Sequence, residues 1–364
     1  MDFASDMSGV SGDAAEPLAP PRVLSQAQID EFMREGVLVV PNVLSPAEVA
    51  AARAGLHGEL AKYGVNHDDL EHTGQHLKQL SSTGGAGGIL DLFYPSWRLR
   101  VAEHAGVFAA MTDLWSATYA TSHPDFAHPH GPFDGKRGYM YINRVCYRVP
   151  DVVSRRHGAA KARPLQRSLT PHLDCCPAHP FASGKAVPRW RPIQCLTVLT
   201  DNLAPDTGGF EAVRGFHKEF ASYFADAATA RAGAGAAAGV GAGRPQVCLG
   251  DFSPLRMAED RDVIARFAHV GAAAGSAIFF DWRVPHANSY RHAGAAPREV
   301  VYTGFLPDVA LNRAYVREQL RRYARRLLPA DHWQKGDADA RVAEHFSAHH
   351  FSALGSRLIG LYPW

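Results

Sequence analysis

The chain is poor in the features that mark several protein classes. In 364 residues there are five cysteines, Cys146, Cys175, Cys176, Cys195 and Cys248. An odd count with two adjacent members does not build a secreted disulfide framework and fits a reducing compartment better. No apolar run approaches the roughly 18 residues of a membrane-spanning helix. Neither sign of charge is in excess: 38 Lys and Arg stand against 36 Asp and Glu. That balance argues against the dense basic face a nucleic-acid partner favours. Phosphate-cradling and nucleophile patterns are missing too. The glycine run at 233–243 does not fit G-x-G-x-x-G, Gly184-Lys185 is not a P-loop, and there is no G-x-S-x-G. The first 21 residues carry Asp2, Asp6, Asp13 and Glu16 but no Lys or Arg. Neither a secretory signal nor a transit peptide has that composition, so residues 1–24 are expected to form a disordered tail. The ending LYPW is not the Ser-Lys-Leu peroxisomal address, and a cytoplasmic location is expected.

What is present suits a full-sized core, with 46% hydrophobic and 20% charged residues. Ser25 caps a helix over QAQIDEFMREG, which Gly36 ends. VLVVPNVL reads as a strand, and Ser45-Pro46 opens a second helix. Residues 64–88 read as a polar loop, and one long helix is expected from about Trp97 to Tyr119. From Gly138 the pattern alternates. GYMYINRVCYRV predicts one strand with Tyr139, Tyr141, Asn143, Val145 and Tyr147 on one face. Further strands are expected around His172, at IQCLTVLTDN, GFEAVRG, AIFFDW and REVVYTGFL. A low-complexity excursion near 227–243 interrupts them, and a basic helix follows at LNRAYVREQLRRYARRLL. Short strands behind helices predict a mainly β fold with flanking helices, a double-stranded β-helix (jelly roll, cupin-like) over 25–328, with 329–364 as a C-terminal extension.

His-x-Asp occurs three times, at His67, His123 and His172. On a strand, residues i and i+2 share a face and can meet one ion. His67 lies between helices and His123 in a proline-rich loop, so only His172 with Asp174 has the β context. His286 follows an apolar strand and supplies a third ligand, in preference to His269 and His292. Two histidines and one carboxylate leave open positions on iron(II). Arg298, Val300 and Tyr302 share a strand face, and a buried Arg beside a metal calls for a dicarboxylate partner. Cys175, Cys176 and His179 lack a second pair at zinc spacing, and His345 with His349 reads as a helix surface. The basic runs Arg155, Arg156, Lys161, Arg163, Arg167 and Arg313 to Arg326 read as a solvated loop and helix face. The sharper reading places the first at the active-site mouth, drawing in an anionic substrate.

Four segments in order, QIDEFMREGVLVVPNVLSPAEV, TPHLDCCP, IQCLTVLTDNLAPDTGGFEAVRGFHK and AIFFDWRVPHANSYRHAGAAPR, resemble the phytanoyl-CoA dioxygenase (PhyH) family of iron(II)/2-oxoglutarate oxygenases. They cover roughly 25–306. The resemblance implies iron on His172, Asp174 and His286, and the distal carboxylate of 2-oxoglutarate on Arg298, with Asn288 helping. Arg291 is the alternative anchor, because the family's Arg lies slightly closer to the distal His. Asn143, and less so Tyr141, would meet the other end of the cosubstrate. It also implies O2 as co-reactant, hydroxylation of a small or medium organic molecule, and release of succinate and CO2. A silent jelly-roll binding protein and a cupin-like metalloenzyme without 2-oxoglutarate are the other readings.

Overall fold

The computed structural model describes residues 22–157, 164–177, 180–181, 187–232, 252–329 and 346–364, with backbone alone for 225–232. It combines helices with antiparallel sheets. The helices are α1 (Gln26–Glu35), α2 (Pro46–Lys62), α3 (Leu70–Thr73), α4 (Ser96–Ala102), α5 (Ala105–Ala117), α6 (Asp151–Arg156), α7 (Phe216–Ala232), α8 (Arg261–Ile264), α9 (Ala310–Ala324) and α10 (Ala353–Leu358). The strands are β1 (Val37–Val40), β2 (Ile89–Leu90), β3 (Gly138–Met140), β4 (Val145–Arg148), β5 (His172–Leu173), β6 (Ile193–Val198), β7 (Phe210–Ala212), β8 (Ser253–Pro254), β9 (Ala268–His269), β10 (Ala277–Asp281), β11 (His286–Asn288), β12 (Arg298–Val301) and β13 (Phe305–Pro307). A six-stranded sheet runs β1-β10-β6-β12-β4-β2, a five-stranded one β8-β5-β11-β7-β9, and β13 pairs with β3.

The front helices form where their caps dictate. Ser25 and Ser45 each close a capping box, with Gln28 and Glu48. Gly36 ends α1 at φ 66, and a Cβ there would meet the His217 ring at 2.5 Å, so only glycine fits the turn into β1. One buried cluster takes side chains from both large sheets: Cys146, Leu196 and Val300 from the six-stranded sheet, Phe210 and Ala212 from the other. The two sheets therefore pack face to face around a common core. At one end Asp281, fully buried, accepts from Arg283 and from the Tyr119 hydroxyl at 2.6 Å.

Several expectations are corrected. The long helix breaks at Glu103-His104 into α4 and α5. Glu103 turns to hydrogen-bond His349 and Ser352 of the C-terminal segment. His349 is consequently buried in a polar contact and not on a helix surface; His345 lies outside the described residues. The single strand over 138–149 is two strands in different sheets. Residues 141–144 are irregular between them, and Tyr147 faces a separate apolar cluster from Tyr139. Residues 64–88 are not a plain loop but hold short helical turns. The expected N-terminal tail is outside the described residues through 21, and residues 23 and 24 are docked, donating both backbone N–H groups to Asp113. α7 continues through Ala232 into the low-complexity stretch, whose remainder is outside the described residues. From the C-terminal extension, 346–364 packs onto the body. Trp364 stacks on Phe108 and donates to the Gly138 carbonyl at 2.6 Å. Cys146 and Cys195 are buried free thiols, whereas Cys176 is disulfide-bonded. Among the described residues no helix is long and apolar enough to cross a membrane.

Candidate metal centre and cavity

Strand pairing assembles the three candidate ligands. β11 lies between β5 and β7, and its first residue, His286, is the direct register partner of His172 on β5. Asp174 is the first residue past β5 and reaches back to both rings. Its Oδ1 is 3.3 Å from His172 Nε2 and its Oδ2 3.7 Å from His286 Nε2. The far nitrogens are tied down: His172 Nδ1 lies 2.7 Å from the Thr170 carbonyl and His286 Nδ1 3.0 Å from that of Val284. A carbonyl can only accept, so each Nδ1 carries the proton and each Nε2 lone pair faces the centre. Phe252 packs on His172, and Phe280 and Phe210 on His286, which fixes the rotamers. The donor set and its outward lone pairs fit a divalent ion with one open side.

Electrostatics keep the set in a ligating state. Burial pulls His286 down to about 4, so it stays neutral. Burial opposes ionisation of Asp174, but its contacts with His172, His286 and the Arg191 guanidinium outweigh it and hold the carboxyl well below its usual range.

The centre opens into a cavity of about 440 Å³ whose walls include Tyr141, Asn143, Arg144, Arg191, Asn288 and Tyr302. Arg298 sits just behind this wall, 3% exposed, its Nη1 donating to the Cys146 sulfur at 3.3 Å. No carboxylate pairs with it among the described residues. The register partner Arg148 is saturated separately, by the carbonyls of Ser289 and Tyr290 and by Asp151 at 3.6 Å. Arg291, the alternative anchor, is exposed and lines a different cavity with Asp151, Arg155 and His292. Asn288 is buried and donates to the Gly87 carbonyl at 3.2 Å. Asn143 spends its Oδ1 on the neighbouring backbone N–H, and the Tyr141 hydroxyl accepts from Arg189.

The described members of the basic run after β4 do not line this cavity. Arg155 lines the other cavity, Arg156 pairs with Glu71, Arg167 binds the Gly84 carbonyl, and Lys161 and Arg163 lie outside the described residues. Arg144, Arg189 and Arg191 line this cavity instead. No spacing signal marks Arg191, which precedes β6 in an irregular segment. Tyr302 shares the inward face with Arg298, and its hydroxyl is buried beside Arg298 and Asn288. That alternation was the available signal.

A second cluster, His57, His67 and Glu299, also converges. Here Glu299 is fully buried and already met by Arg53 at 3.0 and 3.3 Å and by His57 at 2.8 Å. His67 Nδ1 faces the Tyr147 hydroxyl at 2.6 Å, and the two imidazoles stack at 3.7 Å. Stacked rings aim their lone pairs side by side, and Arg53 repels a cation, so this is a neutralised buried carboxylate. The other His-x-Asp pair, His123 with Asp125, is a local turn.

Burial pulls His292, like His286, down to about 4. In the unfolded chain both take protons near 6.5. As pH falls through 6.5 toward 4 the unfolded state binds the extra protons, so stability is lost on acidification, by up to about 3 kcal/mol per residue. Metal-free protein should therefore melt progressively lower from pH 7 to 5, with His292→Asn showing a shallower slope. A variant slope parallel to the wild type would rule His292 out as a contributor.

Helices on face-to-face antiparallel sheets bring two histidines and a carboxylate together at one cavity, a donor set that could hold a metal ion. The chain belongs to the phytanoyl-CoA dioxygenase (PhyH) family, which it matches over residues 32–300. That places it among the oxygenases, a kind of oxidoreductase. No curated protein matches it in sequence. Solved structures share its fold. A putative oxidoreductase from Salmonella typhimurium LT2 is similar with TM-score 0.64 at 12% identity, over 93% of this chain and 83% of that one. The hypothetical protein JW0805 from Escherichia coli gives 0.63 at 12%, over 93% and 82%. The GlcNAc Inducible Gene 2 protein from Candida albicans gives 0.62 at 12%, over 92% and 80%.

Proposed function

We propose that this protein is an iron(II)- and 2-oxoglutarate-dependent dioxygenase on a jelly-roll scaffold, hydroxylating a small or medium organic substrate with release of succinate and CO2. One observation carries the reading: a buried arginine with no carboxylate partner among the described residues, Arg298, lies behind the wall of a cavity that also holds His172, Asp174 and His286. A buried unpaired guanidinium is costly, and a cosubstrate carboxylate removes that cost.

His172, Asp174 and His286 would hold iron(II). Bound iron supplies the activation of O2 coupled to oxidation of 2-oxoglutarate. Arg298, with Asn288 and Tyr302 beside it, receives the distal carboxylate by paired N–H donation. Asn143 stands nearer the other end, through its side-chain NH2, and Tyr141 contributes its ring more than its hydroxyl. Phe210, Phe252 and Phe280 make the wall apolar and keep water from the reacting atoms.

Anaerobic addition of iron(II) and then 2-oxoglutarate to the pure protein tests this. The expected result is a visible metal-to-ketoacid charge-transfer band, absent in His172→Ala. A folded wild-type protein that binds iron without developing the band would overturn the reading.

A further inference from the structure

Arg191 is a cavity-lining cation within ion-pair reach of a candidate ligand, and the proposed cofactors leave its charge over; Arg189, on the same wall, donates to the Tyr141 hydroxyl. Its guanidinium is 3.5 Å from Asp174 Oδ2 and lies over the Tyr141 ring at 4.7 Å. None of its five N–H groups makes a hydrogen bond to a described residue, and its side chain is 13% exposed, toward the cavity. Arg144 differs: Asp91 takes its Nε at 2.7 Å and Ser82 its Nη2.

The charges can be balanced group by group. A divalent ion, the Asp174 carboxylate, the Arg298 guanidinium and the 2-oxoglutarate dianion cancel one another. The histidines are neutral ligands, Arg144 is matched by Asp91, and Arg189 is turned to the Tyr141 hydroxyl. Once Asp174 faces a metal, Arg191 has lost most of its counter-charge and remains in a half-enclosed space of low dielectric. An unmatched cation there is unfavourable, and its planar fork of donors matches a carboxylate or phosphate.

We infer that the substrate is a small organic acid whose anionic group, carboxylate or phosphate, is held by Arg191. This rests on the oxygenase reading and names the substrate class of the same site. Arg191 lies so near Asp174 that the anionic group is held close to the metal face, so the oxidised carbon lies within a few bonds of it. Tyr141, stacked under the guanidinium, fixes the fork toward the cavity, and Leu169 and Ile89 offer an apolar surface to the rest of the molecule.

The experiment uses protein loaded with Zn(II) and saturated with 2-oxoglutarate. Ligand-observed NMR follows a mixture of four- to six-carbon carboxylates, their phosphonate counterparts and their neutral amides. Acids are expected to bind at least about tenfold more tightly than the matched amides, a difference of one charge-assisted contact. The phosphonate arm decides between carboxylate and phosphate. Arg191→Gln should abolish the preference and Arg191→Lys restore it in part, while Zn(II) affinity, measured on each variant, shows that Asp174 still ligates. Acids and amides binding alike, no acid binding, or a preference that survives Arg191→Gln each overturns the inference and leaves the oxygenase reading standing. Loss of 2-oxoglutarate binding in Arg191→Gln but not in Arg298→Gln overturns it as well, because Arg191 would then be the cosubstrate anchor. Failure of wild-type protein to bind Zn(II) or 2-oxoglutarate at all sinks the oxygenase reading, and this inference with it.

Discussion

Asp174→Ala is expected to lower iron(II) affinity by more than about 100-fold and to remove turnover of 2-oxoglutarate. Loss of a residue that only orients a ligand costs 10- to 100-fold, and Asp174 is placed as a ligand itself. It is the only carboxylate of the convergent set and bridges both histidines. Without it the two imidazoles offer neutral nitrogens alone, and Arg191, deprived of its ion pair, places positive charge beside the vacated position. Isothermal titration with iron(II) under anaerobic conditions measures the first effect and succinate formation the second. Asp174→Asn separates charge from shape, and it should fall nearer Ala than wild type. If Asp174→Ala binds iron as tightly as wild type, the metal lies elsewhere and the three residues are a buried polar group.

Arg298→Ala is expected to raise the KM for 2-oxoglutarate by about 10- to 100-fold with iron affinity unchanged. The size follows from losing a charge-assisted hydrogen-bonded pair worth about 1.5–3 kcal/mol. The specificity of the effect follows from geometry, since Arg298 contacts Cys146 and the Asn288–Tyr302 side of the cavity and none of the candidate ligands. Arg298→Lys keeps the charge but not the fork, so it should lie between. Arg291→Ala, at the other cavity, serves as the comparison and should leave KM as it is. An unchanged KM in Arg298→Ala would favour a metal-dependent enzyme of the cupin kind that does not use 2-oxoglutarate.

Much of this was legible locally. The capping boxes at Ser25 and Ser45 are properties of four consecutive residues, and they form as read. β6 and β10 follow from short, largely apolar runs, and β12 from its Val300-Val301 pair; all three are buried along their whole length. Where a segment's fate depends on distant partners, local pattern misleads. Alternation over 138–149 is continuous, yet residues 141–144 must cross from the β13 pairing to the six-stranded sheet, which breaks the strand. The α4–α5 break exists because Glu103 has a partner almost 250 positions away.

The sequence by itself determined the candidate donors. His172 and Asp174 are two residues apart, and His286 follows a buried strand, so residue type and spacing confine the choice. The tertiary structure alone decided their meeting, because only the β5–β11 register sets His286 opposite His172. It also decided which cations count. Arg298 and Arg191 become significant through what they lack among the described residues, a carboxylate for the first and a hydrogen-bond acceptor for the second. Charge balance is a property of the assembled cavity, where groups far apart in the chain share one low-dielectric space, and no stretch of sequence contains it.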